Sequence, residues 1–482
     1  INTFGDPTDL VYTLTSSNGG INVVETQLPT TSNALVTDYD LGVGITHNYS
    51  LTITFKNKAT AQDANQKKKF SFKIQINEVT EAPAEASVPE LYQGLIPIKY
   101  DATGNAIVAD TASEWYDYTK HNWANAVLVN CANQTIKDTY FNTDMTLKSS
   151  SIGQTIPEAS ILQYYVWIPR YRYLLWNAEN GLSNEQAISI RFEDKTTPKS
   201  TGSTNGTWLP HPAFTFGTTE LNGIWVGKFT TSGTTSSLAI KPNVNPLTYI
   251  NLSTMFNATR NQELSYANNY GLDNTKIDTH LIKNMEWGAI AYFSSSIYGR
   301  YNDSNTCIAS GCEVWINNTS NTFLTGCAGT STSAAESPSC QNWNSTLGVN
   351  ASTTGNISGI YDMSGGANQY VMGSMTTSGG SFNISNSGFG YTPEAKYYDS
   401  YAYDSVFYNY NRGHLGDATR EILKQTQRGW YNDITQLPYD RYPWIVRAGI
   451  YNGTTGAGIF HFESGDGTGH GYVAFHSIIT AQ

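Results

Sequence analysis

The chain is 482 residues long, with a formal net charge of −11 at pH 7; it is 39% hydrophobic and only 14% charged. That length exceeds what one core usually serves, and 32 tyrosines with 11 tryptophans exclude a disordered chain. The acidic balance argues against a nucleic-acid partner, which needs a concentrated basic face, and no stretch approaches the roughly 20 apolar residues of a membrane span.

Residues 1–80 read as strands, because apolar side chains alternate with polar ones at the period that turns one face to a core. Leu10, Tyr12 and Leu14 form one set, Leu51, Ile53 and Phe55 a second, and Phe70, Phe72, Ile74 and Ile76 a third. Gly, Asn and Pro punctuate them, so a small β-sandwich is expected. Lys67-Lys68-Lys69, the only basic run, reads as a solvated hairpin tip. A linker rich in Pro, Ala and Glu follows over residues 81–92. Residues 93–159, dense in aromatics without helical spacing, read as a bridging segment. Residues 160–482 read as one large domain, loop-rich and α+β in a chain that is mainly β.

Two stretches of that domain have helical character. In residues 279–299, Leu281, Met285, Trp287, Ile290, Ala291 and Phe293 approximate an amphipathic face. A second helix is expected within residues 417–433. Four cysteines, Cys307, Cys312, Cys327 and Cys340, share a Ser/Gly/Asn-rich region and permit three pairings. Disulfides fit them better than zinc, since no Cys-x-x-Cys or nearby His is present, and they imply an oxidising compartment. Cys131 is left over, as a buried thiol or a link between chains. The chain opens on Ile1 without an apolar leader, as a processed exported protein would. Asn-x-Ser/Thr acceptors recur between Asn205 and Asn452, as chance supplies in a chain this rich in those residues; a glycosylating host would use them.

Three segments, in order, resemble the formylglycine-generating and sulfatase-modifying family, whose domain is a variant of the C-type lectin fold. They are DTHLIKNMEWGAIAYFS (residues 278–294), NISGIYDMSGGANQYVMGS (356–374) and PWIVRAGIYNGTTGAGIFHFESGDGTGHGYVAFHSII (443–479). With YVWIPRYRYLLW (165–176) and HPAFTFGTTELNGIWVGKF (211–229), the likeness spans roughly residues 160–482. It implies a C-type-lectin-like domain. The enzymes of that family hold copper with a cysteine pair in the closing segment, and residues 443–479 contain no cysteine. The resemblance therefore carries the fold and not the oxidase chemistry. More faintly, the run from residue 48, NYSLTITFKNKATAQDANQKKKFSFKIQINE, resembles sandwich domains of exported Gram-positive fibre and pilus-associated proteins. That likeness implies polymerisation by strand donation, with residues 1–15, including Leu10, Tyr12 and Leu14, as the donor.

Within GIYDMSGGANQYV, Asp362 is suited to cap a turn through its side chain, and Gly365 and Gly366 to adopt backbone angles closed to other residues. Trp430, Tyr431, Tyr451, Asn452, His461 and His470 are the candidate ligand-binding residues, since aromatics give area at low entropic cost and Asn adapts its hydrogen bonds. No cofactor is expected. The exceptions weighed are a metal on His461 and Glu463, and calcium on the carboxylates Glu463 and Asp466 of ESGDGTGHG or on Asp303, Asp362 and Asp404. The expected protein is non-enzymatic and secreted or at the cell surface: a fibre-forming or adhesive subunit displaying a lectin-like domain toward an extracellular glycan or protein. The alternatives are a phage-type receptor-binding protein with a variable surface near residues 445–475, and an enzyme of other chemistry on the same fold.

Overall fold

The computed structural model describes residues 4, 6–30, 47–71, 85–179, 181–196, 202–317, 320, 322–334 and 340–482. The chain is mainly β and divides into two compact units, Ile1–Pro83 and Ala84–Gln482.

The smaller unit is a three-stranded antiparallel sheet of β1 (Leu10–Ser16), β2 (Val23–Gln27) and β3 (Tyr49–Phe55), in the order β2-β1-β3. Leu10 pairs with Phe55, Tyr12 with Ile53 and Leu14 with Leu51. Leu10, Tyr12 and Leu28 are buried beneath Phe4, Val23, Leu51, Ile53 and Phe70. Where a sandwich was expected, a single three-stranded sheet is described; the remainder of the third predicted strand, Phe72 to Ile76, lies outside the described residues. The donor strand requires correction. Residues Leu10 to Leu14 form the middle strand of their own sheet, bonded on both sides, so donating them would break two ladders.

The larger unit is built on two sheets. The first has seven strands: β4 (Ile96–Tyr100), β5 (Ala106–Val108), β6 (Asn125–Val129), β7 (Ile161–Pro169), β8 (Gly223–Gly227), β9 (Ile277–Leu281) and β15 (Ser477–Ala481). Their order is β9-β15-β8-β7-β6-β4-β5, with every neighbour antiparallel. The second holds β10 (Asn368–Met375), β11 (Asp399–Tyr401), β12 (Trp444–Ala448) and β13 (Gly458–Gly465) in the order β11-β10-β12-β13, and β14 (Val473–Ala474) also pairs with β10. Residues 93–159, expected as a bridge, supply three strands of the first sheet. Their Val and Ile runs are buried within it, as in Asn125–Val129. The described end of the expected linker packs on the larger unit as well: Trp225 donates to the Glu90 carbonyl at 2.7 Å, and Lys195 pairs with the Glu90 carboxylate at 2.9 Å.

The helix expected over residues 279–299 is a strand followed by a helix. Chain pairing with β15 claims Ile277–Leu281, and α2 (Asn284–Ser294) starts only where the Glu286 carboxylate accepts the Lys283 backbone N–H at 2.8 Å. All its residues are buried, so it is a core helix with no wet face. The helix expected within residues 417–433 does not form. Arg420–Ile422 is a single 3₁₀ turn, and Leu423–Gln425 pairs with Arg428–Gly429 as a hairpin. The cause lies in Glu421, whose carboxylate is spent on Tyr173, Tyr292 and the Gly416 N–H. A helix absent from the sequence reading, α1 (Leu252–Leu264), is capped by Asn251, whose side chain accepts the Thr254 N–H at 2.9 Å.

The helix α2 passes tightly over residues 416–417. A Cβ on Gly288 would stand 2.0 Å from the Gly416 carbonyl oxygen and 2.8 Å from the Asp417 carbonyl carbon, both backbone atoms that cannot swing aside. Gly288→Ala is expected to destabilise the larger unit by at least about 1–3 kcal/mol. Urea unfolding followed by tryptophan fluorescence checks this cleanly, because all 11 tryptophans lie in that unit.

Cysteines pair with their nearest neighbours, Cys307 with Cys312 and Cys327 with Cys340. Cys131 is a buried free thiol, pushed up to about 11 by burial. Among the described residues, no helix is long and apolar enough to cross a membrane.

Candidate functional site

Strand alternation gives the second sheet two chemically different faces. Gln369, Arg447 and Phe462 stand opposite one another across β10, β12 and β13, and Arg447 lies 5.3 Å over the Phe462 ring. The neighbouring positions Asn368, Tyr370, Val446, His461 and Glu463 occupy the other face. Asp362 supports both. Its buried carboxylate, at a backbone φ of 61°, accepts the N–H groups of Thr230 and Gly326 and the Asn317 amide, so it ties distant segments together where a local turn cap was expected. Gly365 and Gly366 take φ of 70° and 74°.

The floor of the second face is polar. Asn368 donates to the Glu463 carboxylate at 2.8 Å, and its own Oδ1 is buried with no hydrogen-bond partner among the described residues. His461, 2% exposed, bonds the Gly456 carbonyl through Nδ1 at 2.7 Å. A carbonyl only accepts, so Nδ1 carries the proton. Burial pushes the ring below its ordinary value against the pull of Glu463, leaving it neutral with Nε2 as a lone-pair acceptor. That Nε2 is buried and likewise has no partner among the described residues. Tyr370 donates to Asp466 at 3.2 Å, and Thr468 does so at 2.7 Å. Burial would raise the Asp466 carboxyl, but these bonds, the Thr468 N–H and nearby His470 hold it below the usual carboxylate range.

Aromatic rings stand at both ends. Tyr451 stacks on Phe323 with centroids 6.0 Å apart, next to exposed Asn452. At the other end, His470 and Tyr472 stack nearly parallel, 5° apart in tilt and 5.1 Å between centroids. Tyr249 joins them: its N–H donates to the His470 carbonyl at 3.1 Å, and its ring crosses Gly471, whose added Cβ would stand 2.4 Å from the phenolic oxygen. Tyr249 is 80% exposed and holds a φ of 60°, a left-handed conformation that a bulky residue adopts at a cost of order 1–3 kcal/mol.

Of the six candidate ligand-binding residues, Tyr451, Asn452, His461 and His470 come to this face or its rim. Trp430 does not. It is fully buried, with its indole N–H on Ser183 and its ring edge against Phe460, and so it is core. Tyr431 also belongs on the Phe460 side, half-buried, with its hydroxyl 3.2 Å from that of Tyr301. The neighbouring tyrosines divide similarly: Tyr401 and Tyr410 are buried, Tyr403 and Tyr408 exposed. Of the carboxylates considered for calcium, Glu463 and Asp466 share this face and already accept from Asn368, Tyr370 and Thr468, Asp362 is saturated by protein donors, and Asp404 accepts from Val406 and Asn409. Among the described residues no group of three or more His, Cys, Asp or Glu is placed to hold a metal ion. Sequence reasoning missed Asn368, Phe323 and Tyr249. Alternation through GGANQYVMG would have placed Asn368 and Tyr370 on one face; nothing local marks Tyr249.

Compared with known proteins, the chain matches no family model, and no curated protein matches it.

Proposed function

We propose that the larger unit is a binding domain, that its ligand contacts the face running from Tyr451 to Tyr472, and that the ligand is an extracellular glycan or protein. The observation that carries this reading is Tyr249: a large ring kept in water, on a strained backbone, beside the stacked His470–Tyr472 pair. Rigid aromatic area and adaptable Asn and His groups, carried on loops over a packed sheet, are the means by which proteins make contact surfaces at low entropic cost. The two disulfides accord with export, and we place the protein outside the cell or on its surface. The smaller unit serves in self-association or anchoring. Since β1 is occupied, the outer strands β2 and β3 are its candidate contacts.

Glycan and peptide arrays probed with the full chain test the reading. Tyr249→Ser, Tyr472→Ser and the pair Tyr451→Ala with Asn452→Ala are each expected to weaken the strongest hit by about tenfold or more. Hits that all three variants retain at full strength would remove the face from the function. Sedimentation velocity over a wide concentration range is expected to show association of the full chain; a monomer throughout would contradict the role given to the smaller unit.

A further inference from the structure

The floor of the face is made of acceptors. Glu463 accepts from Asn368 and stands two residues from His461 on β13, and His461 Nε2 and Asn368 Oδ1 belong to side chains nine-tenths or more buried and have no hydrogen-bond partner among the described residues. The side-chain donors of this floor are spent within it, Asn368 on Glu463 and Tyr370 and Thr468 on Asp466, whereas the tyrosine hydroxyls and the Asn452 amide belong to the rim. Glu463 has no cationic partner among the described residues. A hydroxyl-bearing ligand brings an acceptor lone pair with every donor and would meet few free donors here, whereas a cation brings donors alone. At the rim the Tyr451–Phe323 pair offers aromatic surface of the kind on which a planar guanidinium stacks.

We propose that this face receives an arginine side chain from a basic protein partner, its guanidinium N–H groups donating to Glu463, Asn368 and His461 and its plane resting on the aromatic rim. The inference rests on the binding reading above and narrows it to a partner class. The chain's net charge of −11 favours the same partners during encounter.

The test uses the full chain and two synthetic peptides, acetyl-Gly-Arg-Gly-amide and its citrulline counterpart, which has nearly the same shape without the charge. NMR titration is expected to move the His461 ring signals with the arginine peptide and leave them in place with citrulline. Glu463→Gln keeps an oxygen for the Asn368 hydrogen bond and is expected to weaken the arginine peptide by about tenfold or more. Equal responses to the two peptides, or an unchanged affinity in Glu463→Gln, would overturn the proposal. The citrulline comparison needs no variant and so survives any folding defect. If the rim variants abolish an array hit while Glu463→Gln binds it normally, the arginine assignment fails and the binding reading stands. A glycan hit lost in both sets would likewise replace the basic partner with a glycan.

Discussion

Arg447→Met is expected to cost the larger unit about 3–5 kcal/mol, a large share of the roughly 5–15 kcal/mol by which folded domains are stable. Arg447 is fully buried between the second sheet and α2. Its guanidinium donates to Asn284 Oδ1 at 2.7 Å and to the carbonyls of Asp417, Ala418 and His461. Methionine fills part of the volume but leaves those oxygens buried without a donor, each carrying its own desolvation cost. The carbonyls of residues 417 and 418 belong to the segment against which Gly288 closes, so the loss spreads from β12 to α2. A urea midpoint unchanged from wild type would show that water satisfies this cluster and that Arg447 is not the tie between sheet and helix.

The second large effect depends on pH. Burial pushes the Glu421 carboxyl up to about 7, although the Gly416 N–H and the hydroxyls of Tyr292 and Tyr173 favour its charged form. An acid raised in the fold binds its proton more tightly there than in the unfolded chain. Its contribution is therefore full below the ordinary carboxylate range and is lost as the pH climbs through about 7. The loss is on the order of 3 kcal/mol. Buried His211 and His476 work the opposite way. Burial lowers both to about 3, so they favour the fold above the ordinary imidazole value and oppose it as the pH falls. The net profile is a compromise, and the Glu421 part is isolated by difference. Glu421→Gln is expected to be more stable relative to wild type at pH 8 than at pH 5, read from paired urea midpoints. The same difference at both values would contradict the assignment.

Much of the β content was legible because alternation reports directly on a half-buried strand: Leu10 and Tyr12 of β1 are buried, and Leu51 and Ile53 face the same small core. The limits were equally physical. Alternation marks a strand but not its neighbours, so the middle position of β1 could not be read and it was expected to be free. In residues 279–299 an apolar run served two elements in succession, and only the Glu286 cap divides them. In 417–433 good helix formers lost to tertiary hydrogen bonding by Glu421, which no propensity encodes. For the site, residue type identified His461, His470, Tyr451 and Asn452, whereas Trp430 satisfied the same criterion and went to the core. Burial decided between them, and burial depends on contacts as distant in sequence as that between Trp430 and Ser183.

The central claim is that ligand meets the second sheet on its Asn368–His461–Glu463 side. Hydrogen–deuterium exchange of the full chain, alone and saturated with its strongest array hit, tests this most directly. Protection concentrated in residues 446–475, together with 247–250 and 366–372, is the predicted footprint. Protection centred on the exposed tyrosines at 403 and 408, with residues 446–475 exchanging as before, would contradict it.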